Sequence, residues 1–185
     1  CCVLYNTVES EKILAGAQEA TPNFPRDGDL RLIAVGTLKQ SKGYIRLLQI
    51  VRRLRDEQFS VHLYILGVGP LQQEMEEFIH QNKLDDSVTL LGYQTNPYRY
   101  ISKCDLFVCA SFAEGFSTAT TEALIVGTPV CTVEVSGMKE MLGETNEWGV
   151  VTENSEEALY QGIKDLMEHP EKLQYYRKKA AERGK

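Results

Sequence analysis

Apolar residues occur along this chain in two patterns that alternate from one end to the other. Short apolar runs bounded by glycine, proline or polar residues are typical of buried β-strands. Such runs predict strands at residues 3–5, 30–35, 61–66, 88–91, 106–109, 129–133 and 149–152. Apolar residues at helical spacing predict helices at residues 9–20, 42–56, 71–81, 98–103, 117–126, 137–142, 155–168 and 170–183.

The alternation of strands and helices predicts one doubly wound α/β domain with a parallel, Rossmann-like sheet. Right-handed crossovers between parallel strands place helices on both faces of such a sheet. Ligands bind where the strand order reverses, between the first and the fourth strand of the usual order. If residues 30–35 are the first strand, residues 106–109 are the fourth, and the loops 36–43 and 111–117 flank one cleft. Residues 1–29 would add an initial strand, a helix and a loop.

Charge and hydropathy argue against a nucleic-acid partner and against a membrane-spanning helix. The 185 residues carry a formal net charge of −6, so no global basic field would attract nucleic acid. We interpret the basic clusters at residues 52–53 and 177–179 as solvated helix faces, with contact to an anionic membrane surface or to a partner as the alternative. No apolar run reaches the roughly 18 residues that a membrane-spanning helix requires.

The five cysteines match neither a metal site nor a closed set of disulfides. They are Cys1, Cys2, Cys104, Cys109 and Cys131. Their spacing is not that of metal ligands, and an odd number cannot all be paired. We therefore expect reduced, mostly buried thiols in a cytosolic protein. Because the chain begins neither with an initiator methionine nor with a signal peptide, we expect it to be a domain of a longer protein.

The loop at residues 36–43 places a lysine where a helix is predicted to begin. The positive end of a helix dipole is unfavourable for Lys42, unless an anionic ligand binds there. A solvated Lys42 whose side chain turns away from the loop fits the pattern equally well. The loop matches neither the Walker motif nor the Gly-x-Gly-x-x-Gly fingerprint, which argues against an ATP hydrolase or a dinucleotide-binding protein.

The loop at residues 111–117 connects a buried strand to a helix and has two carboxylates around it. Glu114 lies in the loop, and Glu122 lies one to two turns inside the helix. Each alone is explained more simply as an ordinary loop acid or as a favourable charge near a helix N-terminus. Together they suit contacts with sugar hydroxyl groups, because a carboxylate can accept from two hydroxyl donors. Free N–H groups of residues 115–118 would also meet an oxygen-rich ligand.

Four motifs occur in an order that resembles a known family. They are Val35-Gly36-Thr37-Leu38 with Lys42-Gly43, Leu66-Gly67-Val68-Gly69-Pro70, Leu91-Gly92-Tyr93 with Asn96-Pro97-Tyr98, and Glu114-Gly115-Phe116-Ser117 with Glu122 and Gly127-Thr128-Pro129. The chain resembles the C-terminal, donor-binding domain of the family-4 retaining glycosyltransferases, which have the two-domain GT-B architecture. The similarity covers nearly the whole chain, and the paired glutamates are its most specific element.

The resemblance implies a role for each matching residue. Lys42 would pair with the diphosphate, Glu114 would lie against the donor sugar, and Glu122 would accept from the ribose hydroxyls. The catalytic contribution would come from Glu114 and Lys42. The other substrate-binding residues that the resemblance implies are Gly36, Thr37, Tyr93, Gln94, Gly115, Phe116, Ser117 and Thr118. Among them, the loop with Tyr93 and Gln94 would receive the nucleotide base through backbone contacts.

Two departures from the family pattern stand out. An arginine commonly follows the first glycine, but this chain has Thr37, whose single hydroxyl is no substitute for a planar guanidinium. Lys39 is the nearby cation that could partly replace it. The dipeptide Asn6-Thr7 stands where Asn-Pro is familiar.

The implied activity is transfer of a hexose or N-acetylhexosamine from a nucleoside-diphosphate sugar, preferably a UDP-sugar, to an acceptor hydroxyl in glycan, polysaccharide or glycolipid biosynthesis. No metal or other cofactor is implied. The glycan or lipid-linked acceptor would bind an N-terminal domain, so we expect this fragment to bind nucleotide without transferring sugar. A cytoplasmic location, with peripheral contact at the inner face of the membrane, fits this role. The alternatives are an epimerase-like GT-B enzyme and a non-catalytic nucleotide-binding domain.

Overall fold

The computed structural model describes residues 9–20, 30–135 and 137–184. The predicted strand at residues 3–5 and the stretch at residues 21–29 lie outside the described residues. Within them strands and α-helices alternate from residue 30 to residue 168, and a second helix then follows directly at residues 170–183.

Six parallel strands form one sheet. They are β1 Leu30–Val35, β2 Val61–Leu66, β3 Val88–Gly92, β4 Leu106–Cys109, β5 Val130–Val133 and β6 Val150–Thr152. Their order in the sheet is β3-β2-β1-β4-β5-β6, and every neighbouring pair is parallel. Strand β1 therefore pairs with β2 on one side and with β4 on the other, so the order reverses between β1 and β4. The predicted doubly wound parallel sheet is confirmed.

Eight α-helices and one 3₁₀ turn connect and cover these strands in the described residues. The helices are α1 Ser10–Ala17, α2 Tyr44–Asp56, α3 Gln72–Gln81, α4 Tyr98–Ile101, α5 Thr118–Ile125, α6 Met138–Leu142, α7 Glu156–Glu168 and α8 Pro170–Arg183. The 3₁₀ turn is Gln40–Lys42. Helix α2 was expected to begin at residue 42, but left-handed Gly43, with φ of 69°, separates the turn from the helix.

The core consists of two apolar layers, one on each face of the sheet. Successive side chains of a strand point to opposite faces. In β1, Leu32 and Ala34 accordingly join the layer under α2 and α7, whereas Ile33 joins the layer under α5. Both faces of the central strands are therefore buried, which explains why their sequences read as continuous apolar runs rather than as alternating ones.

Helix α2 differs from its prediction in one further respect. Arg46 was expected outside the apolar stripe of this helix, but it is only 6% exposed to solvent. The other arginines of the helix, Arg52, Arg53 and Arg55, are exposed as expected. A buried guanidinium must find hydrogen-bond acceptors inside the protein, and two of the three acceptors of Arg46 lie in the loop after β4.

Candidate functional site at the topological switch point

A cleft of about 350 Å³ opens at the carboxyl ends of β1 and β4, where the strand order reverses. The loops predicted to flank one cleft, residues 36–43 and 111–117, both contribute to its lining. The predicted site residues among those that line it are Gly36, Thr37, Lys42, Glu114, Phe116, Ser117, Thr118 and Glu122. Gly115, Tyr93 and Gln94 are not among them. Lys39, raised above as a nearby cation, also lines the cleft.

The loop after β1 is held in place by backbone contacts to its neighbours. The N–H group of Gly36 donates to the carbonyl oxygen of Leu66 at 3.0 Å, and the hydroxyl of buried Tyr44 donates to the carbonyl oxygen of Gly36, also at 3.0 Å. Burial, with the charge of Glu114 as a smaller contribution, raises the pKa of Tyr44 far above its usual range. Tyr44 therefore acts here as a neutral hydrogen-bond donor that fixes the first loop.

The two loops touch each other backbone to backbone. A Cβ atom on Gly43 would lie 1.9 Å from the carbonyl oxygen of Ala110, far inside van der Waals contact. The N–H group of Phe112 donates to the carbonyl oxygen of Ser41 at 2.8 Å. Glycine is required at position 43 both by this contact and by its positive φ. The close approach brings the turn that contains Lys42 against the loop that contains Glu114.

Lys42 and Glu114 form an ion pair across the cleft. Lys42 Nζ lies 2.5 Å from Glu114 Oε1, and the two side chains are 23% and 10% exposed. Ser111 Oγ donates to the same carboxylate oxygen at 2.7 Å. The described residues offer no partner to Glu114 Oε2, so this oxygen remains an acceptor. One interpretation of the sequence placed Lys42 at the start of α2, and the other turned its side chain into solvent. In the structure Lys42 precedes the helix, and Glu114 compensates its charge.

Arg46 anchors the loop after β4 from behind, a role that sequence reasoning missed. Its Nε donates to the carbonyl oxygen of Ala110 at 2.7 Å, and a terminal nitrogen donates to that of Ser111 at 2.9 Å. The other terminal nitrogen donates to Asn154 Oδ1 at 2.9 Å, and the guanidinium lies 4.1 Å from the ring centre of Phe112. The planar fork of five donors suits this set of acceptors.

Helix α5 begins at the cleft with a side-chain cap. Ser117 Oγ accepts from the N–H group of Thr120 at 3.3 Å, which makes Ser117 the N-cap residue. The N–H groups of Thr118 and Ala119, at the first two helical positions, have no acceptor among the described residues. Both residues line the cleft. These donors and the positive end of the helix dipole make this side of the cleft favourable for an anion.

Glu122 lies one turn further along α5 and is half-buried. Burial raises its pKa, although a hydrogen bond from Tyr98 acts in the opposite direction. That bond joins the Tyr98 hydroxyl to Glu122 Oε1 at 3.4 Å. Glu122 therefore stands at the edge of the cleft with a single weak partner in the described part of the chain.

The loop expected to receive a nucleotide base lies beside the cleft and does not line it. Tyr93 is 72% exposed. The side chain of Gln94 donates to the carbonyl oxygen of Leu91 at 2.8 Å, which folds it back onto its own loop. Both residues follow β3, which is separated from β4 in the sheet by β2 and β1.

The described residues contain neither a cluster of metal-binding side chains nor a membrane-spanning helix. No group of three or more histidine, cysteine, aspartate or glutamate side chains is arranged to hold a metal ion. No described helix has the length and apolar content needed to cross a membrane. Cys104, Cys109 and Cys131 are free and buried.

These features define a class: a doubly wound α/β domain whose switch-point cleft offers a lysine, two glutamates and a helix N-terminus to a polar ligand. The family model of the glycosyl transferases group 1 matches residues 18–183. The chain belongs to this glycosyltransferase family, which confirms the membership that the four motifs predicted.

The similarity to a curated relative extends over the whole chain. The chain is 34% identical, over 187 aligned positions, to the N-acetylgalactosamine-N,N'-diacetylbacillosaminyl-diphospho-undecaprenol 4-alpha-N-acetylgalactosaminyltransferase of Campylobacter jejuni. The alignment covers 100% of this chain and 49% of that protein. The chain therefore spans about half the length of this relative.

Two solved structures have the same fold. A glycosyltransferase from Rickettsia africae superposes with a TM-score of 0.80 at 17% identity, over 94% of this chain and 49% of that one. The pneumococcal O-GlcNAc transferase GtfA, solved with UDP and GlcNAc, superposes with a TM-score of 0.76 at 21% identity, over 84% of this chain and 32% of that one. At these identities the similarity establishes the fold alone.

Proposed function

We propose that this chain binds the nucleoside-diphosphate sugar donor of a retaining glycosyltransferase and that the donor is a UDP-sugar. The observation that carries the proposal is the Lys42–Glu114 pair beside the N-terminus of α5 in one cleft. Membership of the glycosyltransferase family supplies the reaction class. A UDP complex of a protein with this fold, and a relative that transfers N-acetylgalactosamine, support the choice of UDP and of a hexosamine or hexose.

In this proposal the diphosphate lies between Lys42 and the N-terminus of α5. Lys42 releases Glu114 Oε1 and pairs with phosphate oxygens, while the N–H groups of Thr118 and Ala119 donate to the same group. Gly36, which carries no side chain, leaves room for the phosphate beside the first loop. Negative charge develops on the departing diphosphate during transfer, so these donors also stabilise the transition state electrostatically.

The two glutamates bind the sugars on either side of the diphosphate. Glu114, whose Oε1 is held by Ser111, uses its carboxylate to accept from hydroxyl groups of the transferred sugar. Glu122 accepts from the ribose hydroxyls, which suits its position one turn into α5. The base then extends toward the loop that contains Tyr93 and Gln94, outside the cleft as described. Binding of the base there would rely on the backbone of this loop.

The acceptor, a glycan or a lipid-linked glycan, binds outside this chain in the proposal. The Campylobacter relative is about twice as long as the aligned region, which leaves room for a second domain. We therefore expect the chain to bind nucleotide but to transfer no sugar by itself. Location in the cytoplasm, with peripheral contact to a membrane surface where a lipid-linked acceptor is offered, completes the proposal. No metal ion or other cofactor takes part in it.

Calorimetric titration of the chain with UDP, GDP and ADP tests the proposal. We expect UDP to bind most tightly, and Glu122→Ala and Lys42→Ala each to weaken it about tenfold or more, because each removes a hydrogen bond to a charged group. The exposed Lys178→Ala is the matched control and should leave binding unchanged. If no nucleotide binds, or if the two cleft variants behave like the control, the proposal is wrong.

A further inference from the structure

The charges that line the cleft are balanced in the absence of ligand. Two lysines, Lys39 and Lys42, and two glutamates, Glu114 and Glu122, line it. Lys42 and Glu114 compensate each other at 2.5 Å. An approaching diphosphate therefore meets Lys42, which is already paired with Glu114. It also meets Glu122, a carboxylate that has no cationic partner in the described residues. Lys42 alone gives the cleft little net attraction for an anion.

Lys39 is the cation of this cleft whose charge is uncompensated. Its side chain is exposed, and neither a hydrogen bond nor an ion pair links it to any residue of the described ranges. We infer that Lys39 is a second diphosphate-binding cation, which attracts the anion and holds it while Lys42 leaves Glu114. This inference rests on the proposed function, because it assumes that a diphosphate binds in this cleft. It adds to the cleft a residue that the family motif does not include.

The backbone of Lys39 is fixed although its side chain is free. The preceding Leu38 is buried, its N–H group donates to the carbonyl oxygen of Val68 at 3.0 Å, and its carbonyl oxygen accepts from Leu71 at 2.9 Å. The carbonyl oxygen of Lys39 itself accepts from the N–H group of Lys42 at 3.0 Å. A lysine on a fixed backbone and with a flexible four-carbon stem can follow a ligand while the loop keeps its shape.

Thr37 makes the contribution of Lys39 necessary. It lines the same cleft and is exposed, but its hydroxyl can give a phosphate one hydrogen bond and no charge. A diphosphate carries more than one negative charge, and Lys42 supplies at most one positive charge once it has separated from Glu114. Lys39 brings the number of cations on this side of the cleft to two, and the N-terminus of α5 adds its partial positive charge.

Titration with UDP, uridine and inorganic pyrophosphate tests the inference, with Lys39→Ala, Lys39→Arg and the control Lys178→Ala. We expect Lys39→Ala to weaken UDP and pyrophosphate binding about tenfold and to leave uridine binding unchanged. Lys39→Arg should keep most of the affinity, because it keeps the charge. The loss in Lys39→Ala should also shrink as salt is raised, since an exposed lysine is screened by ions. Thermal unfolding of each variant, expected to match the original chain, confirms that the fold is intact.

The outcomes separate this inference from the proposed function. If UDP binds and Lys39→Ala binds it as tightly as Lys178→Ala does, Lys39 is an ordinary surface lysine and the inference is overturned. If pyrophosphate binds in a manner that depends on Lys39 but no nucleotide gains affinity over pyrophosphate, the inference stands and the proposed function falls. If neither UDP nor pyrophosphate binds the original chain, both are overturned.

Discussion

Replacing Arg46 with methionine should destabilise the fold and loosen the loop that carries Glu114. Methionine fills much of the same space but leaves the carbonyl oxygen of Ala110 without its donor and that of Ser111 with only the long bond from the Asn154 side chain at 3.5 Å. Both residues are buried, so water cannot take over these bonds. An unsatisfied buried acceptor costs about 1–3 kcal/mol.

Losing both bonds from Arg46 would cost at most about 2–6 kcal/mol. Part of this is offset, because Asn154 still donates to Ser111 and because a buried charge is removed. Burial does lower the pKa of Arg46, which shows that the charged guanidinium is less well solvated here than in water. We therefore expect a net loss of about 3 kcal/mol in the free energy of unfolding. For a chain of this size that corresponds to a fall in Tm of about 6–12 °C.

Thermal unfolding followed by circular dichroism, with urea unfolding as a second measurement, provides the assay. Arg55→Met on the same helix is the matched control, because Arg55 is exposed and should change stability by about 0.5 kcal/mol or less. Arg46→Lys should fall between the two, since a lysine keeps the charge but not the planar fork. The reasoning is refuted if Arg46→Met lies within about 1 kcal/mol of Arg55→Met.

Two further predictions concern a glycine and a surface carboxylate. Gly43→Ala should lower the free energy of unfolding by about 2 kcal/mol or more, because φ is positive at this position and the added Cβ would collide with a backbone carbonyl. Gly115→Ala is the control and should leave Tm nearly unchanged, because nothing lies within 4 Å of an added Cβ there. Equal Tm values for the two variants would contradict this prediction. Hydrogen bonds from Lys164 and Tyr160 lower the pKa of Glu57 to about 2. The ionised Glu57 therefore stabilises the fold above pH 4.5, and this contribution is lost as the pH falls toward 2. The difference in Tm between Glu57→Gln and the original chain should vanish over that range. A difference in Tm that persists to pH 2 would show that the carboxylate charge does not cause it.

The strands and the position of the cleft were predictable because they depend on strong local patterns. The apolar runs of β1 and β4, broken only by Arg31, are typical of buried central strands, and helices between all strands favour a parallel sheet. Once these two strands were recognised as first and fourth, the rule for ligand sites fixed which loops would meet. This rule brought together the loops that contain Glu114 and Lys42, whereas the resemblance to the family assigned roles to these two residues.

What the sequence did not reveal depends on contacts between distant residues. Arg46 has the spacing of an outward-facing residue on α2, and only the approach of the loop after β4 supplies the acceptors that make its burial favourable. The compensation of Lys42 by Glu114 likewise joins residues 72 positions apart. The break between the 3₁₀ turn and α2 does not depend on distant contacts, because Gly43 is a local signal for it. A helix that starts at residue 42 is equally compatible with the spacing of the apolar residues, so the sequence did not reveal the break.

The separation of the cleft residues along the chain has a consequence for folding. The residues that line the cleft come from two segments, residues 34–47 and 107–122. In the sequence, strands β2 and β3 lie between these two segments. Contacts of such high sequence separation carry a large loop-closure entropy and tend to form late. A partly folded chain in which β1 has not yet paired with β4 has no cleft, so a ligand of this cleft binds only the completely assembled sheet. Such a ligand would stabilise the whole domain by mass action, and a higher ligand concentration would raise the fraction of chains that are folded.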